Sequence, residues 1–134
     1  MFVLSETPAF YVRGLPRDGD ENGTIILTIV TTNIGEDYNE TTGEFTCTIP
    51  GTYHFSVTIE REFNVSEAFC HLLLNAKNTL MVSARSSFGF YEFFQMSSNS
   101  AILALKAGDI VKLGSCTKAL TFTPTMSFSG HLIS

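Results

Sequence analysis

Hydrophobic and polar residues alternate along much of this chain with a period of two. The clearest case is GEFTCTIPGTYHFSVTI, residues 43–59, in which Phe45, Cys47 and Ile49 share one phase before Pro50-Gly51. The same phase continues after this dipeptide in Tyr53, Phe55, Val57 and Ile59. A period of two is typical of a strand with one buried face. Proline cannot donate to a ladder and glycine accepts unusual backbone angles, so Pro50-Gly51 is expected to form a corner between two strands.

Further short runs of this kind are separated by turn residues, which predicts additional strands. The residues KAGD, 106–109, are expected to form a hairpin-like turn between two of them, and Ala76-Lys77 a tight turn between two others. Nine or ten short strands without a convincing helix indicate an all-β sandwich or jelly roll. The runs are Ala9–Val12, Thr24–Thr32, Phe69–Asn75, Thr79–Arg85, Ala101–Leu105, Asp109–Leu113 and Ser127–Ile133.

Composition agrees with a single β domain that spans residues 1–134. Twelve Phe and four Tyr accompany runs rich in Thr, Val and Ile, which favour strands. Charged residues make up only 16 % of the chain, against roughly 25 % in an average domain. This shortage predicts that part of the surface is covered by other subunits. A net charge of −5 with eight Lys and Arg argues against nucleic acid as a partner.

The sequence favours an extracellular protein that does not insert into membranes. No segment approaches the roughly 20 apolar residues that span a bilayer, and the first ten residues lack the features of a signal peptide. Three Asn-x-Ser/Thr triplets, at Asn22, Asn39 and Asn64, lie at turn-like places where N-linked glycans could be attached. They favour secretion.

Cysteine chemistry offers little beyond structure. Cys47, Cys70 and Cys116 allow at most one intramolecular disulfide, and no Cys-x-x-Cys pair indicates a zinc site. Because Cys47 is in phase with Phe45, we expect it to be a buried free thiol.

No catalytic constellation is evident, so the sequence predicts a protein that is not an enzyme. His54, His71 and His131 lie in three different predicted strands, opposite most apolar neighbours, and we interpret them as solvent or interface histidines. Ser129 lacks the Gly-x-Ser-x-Gly elbow of hydrolase nucleophiles.

Two acidic clusters and one aromatic run leave alternatives open. The clusters are Asp18, Asp20 and Glu21, and Glu36, Asp37 and Glu40. Each could take calcium, but neither matches an EF-hand, and solvated loop charge is the favoured interpretation. The run Phe88–Phe94 holds more aromatic rings than one strand face can bury. It is interpreted equally as core and loop packing or as a subunit or ligand contact.

Three separated motifs in register resemble the complement C1q globular-head domain, from about Ala9 to the last residue. The first motif runs from Asn33 through Tyr38 to Phe55, the second is LLLNAK, and the third joins SSNSAILALKAGDIVKL to FSGHLI. The positions that carry the resemblance are Asn33, Tyr38, Gly43, Phe45, Pro50, Gly51, Tyr53, Phe55, Gly108, Asp109, Phe128 and Gly130.

The resemblance implies a ten-stranded, two-sheet jelly roll shared with tumour necrosis factor ligands, with its core from about residue 9 to 134. It also implies a homotrimer whose chain termini meet at the base. We expect the heads to associate through strand faces bearing Tyr53, Phe55, Phe128 or neighbouring aromatics. The strand near Phe69 would run antiparallel to the strand ending near Ser115, so Cys70 and Cys116 are expected to lie close together. A disulfide between them and two reduced thiols are both left open.

The resemblance also implies a secreted module that binds extracellular ligands multivalently. The first hypothesis is innate-immune recognition of microbial or carbohydrate surfaces; the alternative is a cytokine-like or synaptic-organiser-like ligand of a cell-surface receptor. Calcium-binding members carry acidic residues at positions matching Ser87 and Gln95 here. Since both carboxylates are missing, neither the family's calcium site nor another cofactor is expected.

Overall fold

The computed structural model describes residues 7–85 and 94–134, which contain twelve strands and one short 3-10 helix at Ala119–Thr121. The strands are β1 (Ala9–Arg13), β2 (Arg17–Asp18), β3 (Ile25–Ile26), β4 (Ile29–Ile34), β5 (Tyr38–Asn39), β6 (Glu44–Thr46), β7 (Gly51–Arg61), β8 (Glu67–Leu74), β9 (Lys77–Arg85), β10 (Gln95–Leu105), β11 (Ile110–Gly114) and β12 (Ser127–Leu132).

Ten of these strands form two antiparallel sheets, which confirms the predicted two-sheet jelly roll. The first sheet has the order β10-β7-β12-β1-β4, and the second has the order β5-β6-β11-β8-β9. Strands β2 and β3 pair as a separate short ribbon. Most neighbouring strands are far apart in sequence, as in Greek-key topology, whereas β5 and β6, and β8 and β9, are consecutive strands paired as hairpins.

The space between the sheets is filled by alternate residues of the long strands. In β7, burial alternates strictly, and Tyr53, Phe55, Val57 and Ile59 are all buried, as their phase predicts. Phe10 is the centre of an aromatic cluster, with ring centroids 4.9 Å from Tyr38 and 4.9 Å from Phe128. This apolar layer is the main stabilising feature of the fold.

Pro50-Gly51 is a corner between the two sheets, as predicted. The chain leaves the second sheet after Thr46 and enters the first at Gly51, where a Cβ atom would lie 2.6 Å from the carbonyl oxygen of Ser134. The prediction that Ile49 shares the buried face of Phe45 is wrong, because Ile49 is 41 % exposed. Strand periodicity ends where the corner begins.

The four-residue turn at 106–109 does not join a hairpin, so that prediction is wrong. β10 ends in the first sheet with Leu105 opposite Gly51, whereas β11 begins in the second sheet with Ile110 opposite Thr46. The Asp109 carboxylate accepts a hydrogen bond from the Lys106 backbone N–H at 2.8 Å. The turn therefore carries the chain from one sheet to the other.

Two further predicted boundaries shift. The run Thr24–Thr32 is split into β3 and β4, and between them Thr28 donates its backbone N–H to Gly14 and its hydroxyl to Leu15. The tight turn lies at Asn75-Ala76, one residue earlier than expected, and both residues have positive φ, 50° and 68°. Asparagine tolerates this left-handed conformation better than most residues.

Candidate functional site

The outward side of the first sheet is a surface of small, neutral side chains, which we call the neutral face. Within its five strands, Arg13 and Glu60 are the only outward residues with a formal charge at pH 7 with histidine neutral. The central rows place hydroxyl groups side by side, with Ser56 opposite both Ser129 and Ser100. Its other members on β1, β7, β10 and β12 are Ala9, Tyr11, Thr52, His54, Thr58, Met96, Ser98, Ile102, Ala104, Ser127 and His131.

The outward side of the second sheet, which we call the charged face, has a different composition. Glu67 and Arg85 lie opposite each other and form an exposed salt bridge, with 3.1 Å between Nε and Oε2. Glu44 is likewise opposite Lys112. Charges that are already hydrated are costly to remove from water. The charged face therefore suits solvent, and the neutral face suits contact with another protein surface.

The predicted association through Tyr53, Phe55 and Phe128 is wrong. These three side chains are 0 %, 0 % and 1 % exposed, because they fill the core of their own chain. The same strands present their other side to the outside, where Tyr11 is the aromatic residue of the neutral face, at 39 % exposure. A subunit contact on this sheet would use that opposite side.

The structure brings two of the three histidines together. His54 on β7 and His131 on β12 are directly opposite, and their ring centroids are 5.4 Å apart. His71 lies on the charged face, where its Nδ1 atom is 3.0 Å from the carbonyl oxygen of Ser115. Sequence reasoning missed the pair, since finding it requires the register of two strands separated by more than 60 residues.

A cleft of about 600 Å³ opens beside Phe69 of β8 and the segment that follows β11, and it contains the first acidic cluster. Its wall includes Asp18 and Asp20, and the Phe69 ring contributes an apolar surface. Asp18 accepts a hydrogen bond from the Ala119 N–H at 2.9 Å. The Thr24 hydroxyl donates to Asp20 at 2.9 Å and lowers the pKa of that carboxyl. The other lining residues are Glu21, Asn22, Gly23, Ser115, Cys116, Thr117, Lys118 and Thr121.

The acidic residues of both clusters accept hydrogen bonds from neighbouring backbone N–H or threonine hydroxyl groups, or are exposed. In the second cluster, both oxygens of Asp37 accept from the Thr48 hydroxyl, at 3.0 and 2.9 Å, while Glu36 and Glu40 are exposed. Across residues 7–85 and 94–134, no three His, Cys, Asp or Glu side chains converge as metal ligands do. The expectation of no family-type calcium site stays a prediction, since Ser87 lies outside the described residues.

The three cysteines are placed as predicted. Cys70 and Cys116 form a disulfide with their Cα atoms 4.0 Å apart, and this bond connects β8 to the segment that follows β11. Cys47 is a buried free thiol, 1 % exposed, and burial raises its pKa. Its Sγ atom lies 3.2 Å from the carbonyl oxygen of Ile49.

The signature positions are structural residues. The Asn33 side chain donates to the Tyr38 carbonyl at 2.8 Å and accepts from the Tyr38 N–H at 3.2 Å. Burial raises the pKa of the Tyr38 phenol to about 12. A Cβ atom at Gly130 would lie 2.6 Å from the Phe55 ring. Gly43 and Gly108 have positive φ, and Phe45 is buried in the core.

The three Asn-x-Ser/Thr triplets lie at exposed positions. Asn22 and Asn64 are in loops, and Asn39 ends β5, where its Oδ1 atom accepts from the Thr41 N–H at 2.8 Å. All three side chains are accessible, and their glycosylation remains a prediction.

Most of the aromatic run lies outside the described residues. Its last member, Phe94, is 57 % exposed, and its ring centroid is 6.3 Å from that of Phe63, which is 50 % exposed. Gln95, which begins β10, is also exposed.

Within residues 7–85 and 94–134, no helix is long and apolar enough to cross a membrane.

Comparison with known proteins identifies relatives over most of the chain. The family model "C1q domain" matches residues 9–133. The chain is 31 % identical over 94 residues to mouse complement C1q tumor necrosis factor-related protein 3, covering 70 % of this chain and 37 % of that protein. It is 31 % identical over 135 residues to hibernation-associated plasma protein HP-20 of Tamias sibiricus, covering 96 % and 64 % respectively. The chain thus spans between about a third and two thirds of these relatives.

Structural comparison gives the same fold. The globular domain of zebrafish complement 1qA protein superimposes with a TM-score of 0.74 at 24 % sequence identity. The match covers 95 % of this chain and 98 % of the zebrafish domain. The arrangement of the two sheets is therefore shared.

Proposed function

The chain belongs to the C1q domain family, and on that premise we propose that it is a secreted homotrimeric module that binds extracellular ligands multivalently. The neutral face is the observation that carries the proposal. Most of its side chains are Ser, Thr or Ala, its two charged residues lie at one end, and Ile102 is 65 % exposed on it. Such a surface costs less to remove from water than a charged one, provided that its hydroxyl groups find hydrogen-bond partners. Two further copies of the same chain are the occupants we assign to it.

A trimer explains how weak ligand sites become useful. Three copies of one surface on a rigid head raise overall avidity without any new contact, provided that the ligand repeats at a matching spacing. The charged face and the cleft beside Phe69 stay open to ligand when the neutral face is covered. Since such contacts lie in loops and outward side chains, the fold alone does not name the ligand.

Recognition of microbial or carbohydrate surfaces in innate immunity is the first candidate ligand class. Repetitive surfaces of this kind present the regular spacing from which a trimer gains most. A receptor ligand of the cytokine or synaptic-organiser type is the second candidate. It is kept because a relative that is 31 % identical is named for tumor necrosis factor as well as for complement C1q.

Three observations support secretion. The Cys70–Cys116 disulfide is typical of oxidising compartments. Asn22, Asn39 and Asn64 are exposed, as glycan acceptors must be. The relative from Tamias sibiricus is named as a plasma protein.

The experiment begins with the mass of the purified protein by light scattering at micromolar concentration. A mass of three chains is expected, and a monomer overturns the proposed assembly. The trimer is then applied to an array of glycans and bacterial cell-wall components, and separately to a panel of cells. Array binding supports the first candidate, whereas saturable binding to one cell type supports the second. In either case, binding to the array or to the cells should be weaker for a monomeric variant whose circular dichroism spectrum is unchanged.

A further inference from the structure

Two histidines occupy the centre of one row across the neutral face. His54 and His131 lie opposite each other on adjacent antiparallel strands, with their rings 5.4 Å apart. Their flanking neighbours are apolar: Ile102 lies opposite His54 on β10, and Ala9 lies opposite His131 on β1. The row that the proposed trimer would cover thus contains two groups that gain a positive charge in mild acid.

No carboxylate of the neighbouring strands lies beside this pair. Glu60 is six residues from His54 along β7, roughly 20 Å at the rise of a strand, and Arg13 is four residues from Ala9, roughly 13 Å. The outward residues of β4 and β10 carry no charge. Tyr11 faces outward from β1 opposite Ser129, in the adjoining row.

At the end of the sheet opposite Arg13 and Glu60, the chain after β12 packs beside the histidine row. There the backbone carbonyl of Ser134 accepts a hydrogen bond from the N–H of Thr52, two residues before His54, at 2.9 Å. Protonation of both histidines would therefore place two like charges side by side without an adjacent counter-charge from a strand.

We propose that the His54–His131 pair makes the trimer sensitive to pH, so that it assembles near neutral pH and separates in mild acid. This inference rests on the proposed trimer. A separated chain hydrates both imidazolium groups, whereas the trimer must bury six of them, so protons bind more readily to the separated chain. By linkage, a fall in pH shifts the equilibrium toward the form that binds more protons. Assembly is therefore strongest above the range in which the histidines titrate, and it weakens as pH falls through that range.

The separation would also release ligand. Multivalent binding depends on three linked sites, and a single head keeps only the weak affinity of one. A trimer that captures its ligand at neutral pH would let go of it in an acidified compartment. The chemical signal for this release is the proton itself.

The test measures the trimer dissociation constant by analytical ultracentrifugation between pH 7.5 and 5.5, at constant ionic strength. We expect it to rise at least about 100-fold for the native sequence, given uptake of up to six protons. The double variant H54Q/H131Q should change less than threefold over the same range. His71→Gln, which removes the histidine of the charged face, is the matched control and should keep the native pH dependence. Circular dichroism at each pH separates dissociation from unfolding.

The outcomes distinguish this inference from the proposed assembly. A monomer at pH 7.5 overturns the trimer itself. A trimer whose dissociation constant is the same at both pH values, or a double variant with the native pH dependence, overturns the role of the pair and leaves the trimer intact. If the double variant does not fold, the single variant His131→Gln replaces it, since His131 is exposed in the monomer; an unchanged dependence there also overturns the inference.

Discussion

The two sheets of this head have the same inner construction and opposite outer surfaces. Facing inward, each contributes alternate large apolar side chains, such as Phe55 in the first sheet and Phe45 in the second, whose rings are 5.6 Å apart. On its outward side the first sheet presents many Ser and Thr side chains, while the second sheet presents Glu67 in a salt bridge with Arg85.

This difference separates what folds the chain from what the chain meets. Burial of the inward apolar residues stabilises the folded monomer, so both sheets need such residues equally. The outward residues stay hydrated in the monomer, and their composition is decided by the next contact. Hydroxyl groups can pair across an interface, whereas full charges resist burial. The neutral face thus has the composition that favours association.

The largest expected effect is on assembly, from a charge placed on the neutral face. Ile102→Glu should convert the trimer into a monomer, because three buried carboxylates without partners would each cost roughly 3–5 kcal/mol. Light scattering at micromolar concentration gives the mass. Met81→Glu is the matched control, because Met81 is 47 % exposed on the charged face. Loss of the trimer in both variants, or in neither, would contradict the assignment of the two faces.

The second effect concerns the second sheet, in which the disulfide lies. The double variant C70A/C116A opens a link between residues 46 positions apart, and the free energy of unfolding should fall by roughly 3–4 kcal/mol. Urea unfolding at fixed protein concentration measures it. Reductant should destabilise the native sequence to a similar extent and leave the variant unaffected. A loss below about 1 kcal/mol would mean that the bond adds little to the fold.

A smaller effect compares one close approach in each sheet. A Cβ atom at Gly130 would meet the rings of Phe55 and Phe10 at 2.6 and 2.7 Å, both in the packed core. One at Gly114 would meet the side chain of Leu73 near its tip. Gly130→Ala should therefore cost about 1–3 kcal/mol, and Gly114→Ala less, since a leucine tip can rotate away. Thermal unfolding of both variants measures the two losses of stability. An equal loss would show that the rings of Phe55 and Phe10 move aside as readily as the Leu73 side chain.

The last prediction concerns the reactivity of Cys47, which lies between the sheets, and not assembly or stability. Because burial raises the pKa of its thiol, native protein at pH 8 should react with a thiol reagent at least about 100-fold more slowly than unfolded protein. After reduction, the partly exposed Cys116 should label before Cys47. Peptide mapping assigns the labelled residue, and rapid modification of Cys47 in the native protein would refute its burial.

Sequence patterns predicted the elements better than the surfaces between subunits. The period of two correctly placed Tyr53 and Phe55 on one side of β7. It did not show that this side fills the core of the chain's own sandwich, which leaves Tyr53 and Phe55 unavailable for the predicted subunit contact. Alternation distinguishes two faces but does not tell which neighbour each face meets.

Turns were the other weak point. The residues 106–109 correctly predicted a turn, and Asp109 caps it by accepting from the Lys106 N–H. The same turn residues are compatible with a hairpin and with a crossover between sheets, so they did not tell which strand follows. The His54–His131 pair depends on the register of β7 against β12, which is set by packing across the whole sandwich. The resemblance supplied a register that local pattern lacks and so placed Cys70 near Cys116, while the bond between them became evident only in the structure.

The pairing of β1 with β12 has a mechanical consequence. Ala9 lies opposite His131, so the two strands enter and leave the first sheet at the same end. Tension applied through Ala9 and Leu132 would pull the pair apart from that end, breaking its backbone hydrogen bonds one after another. Tension applied through Arg13 and Leu132 would load them together, because Arg13 is opposite Ser127 at the far end. We expect the first geometry to rupture at lower force in single-molecule pulling, which would make the head a weak link under load however stable it is at rest.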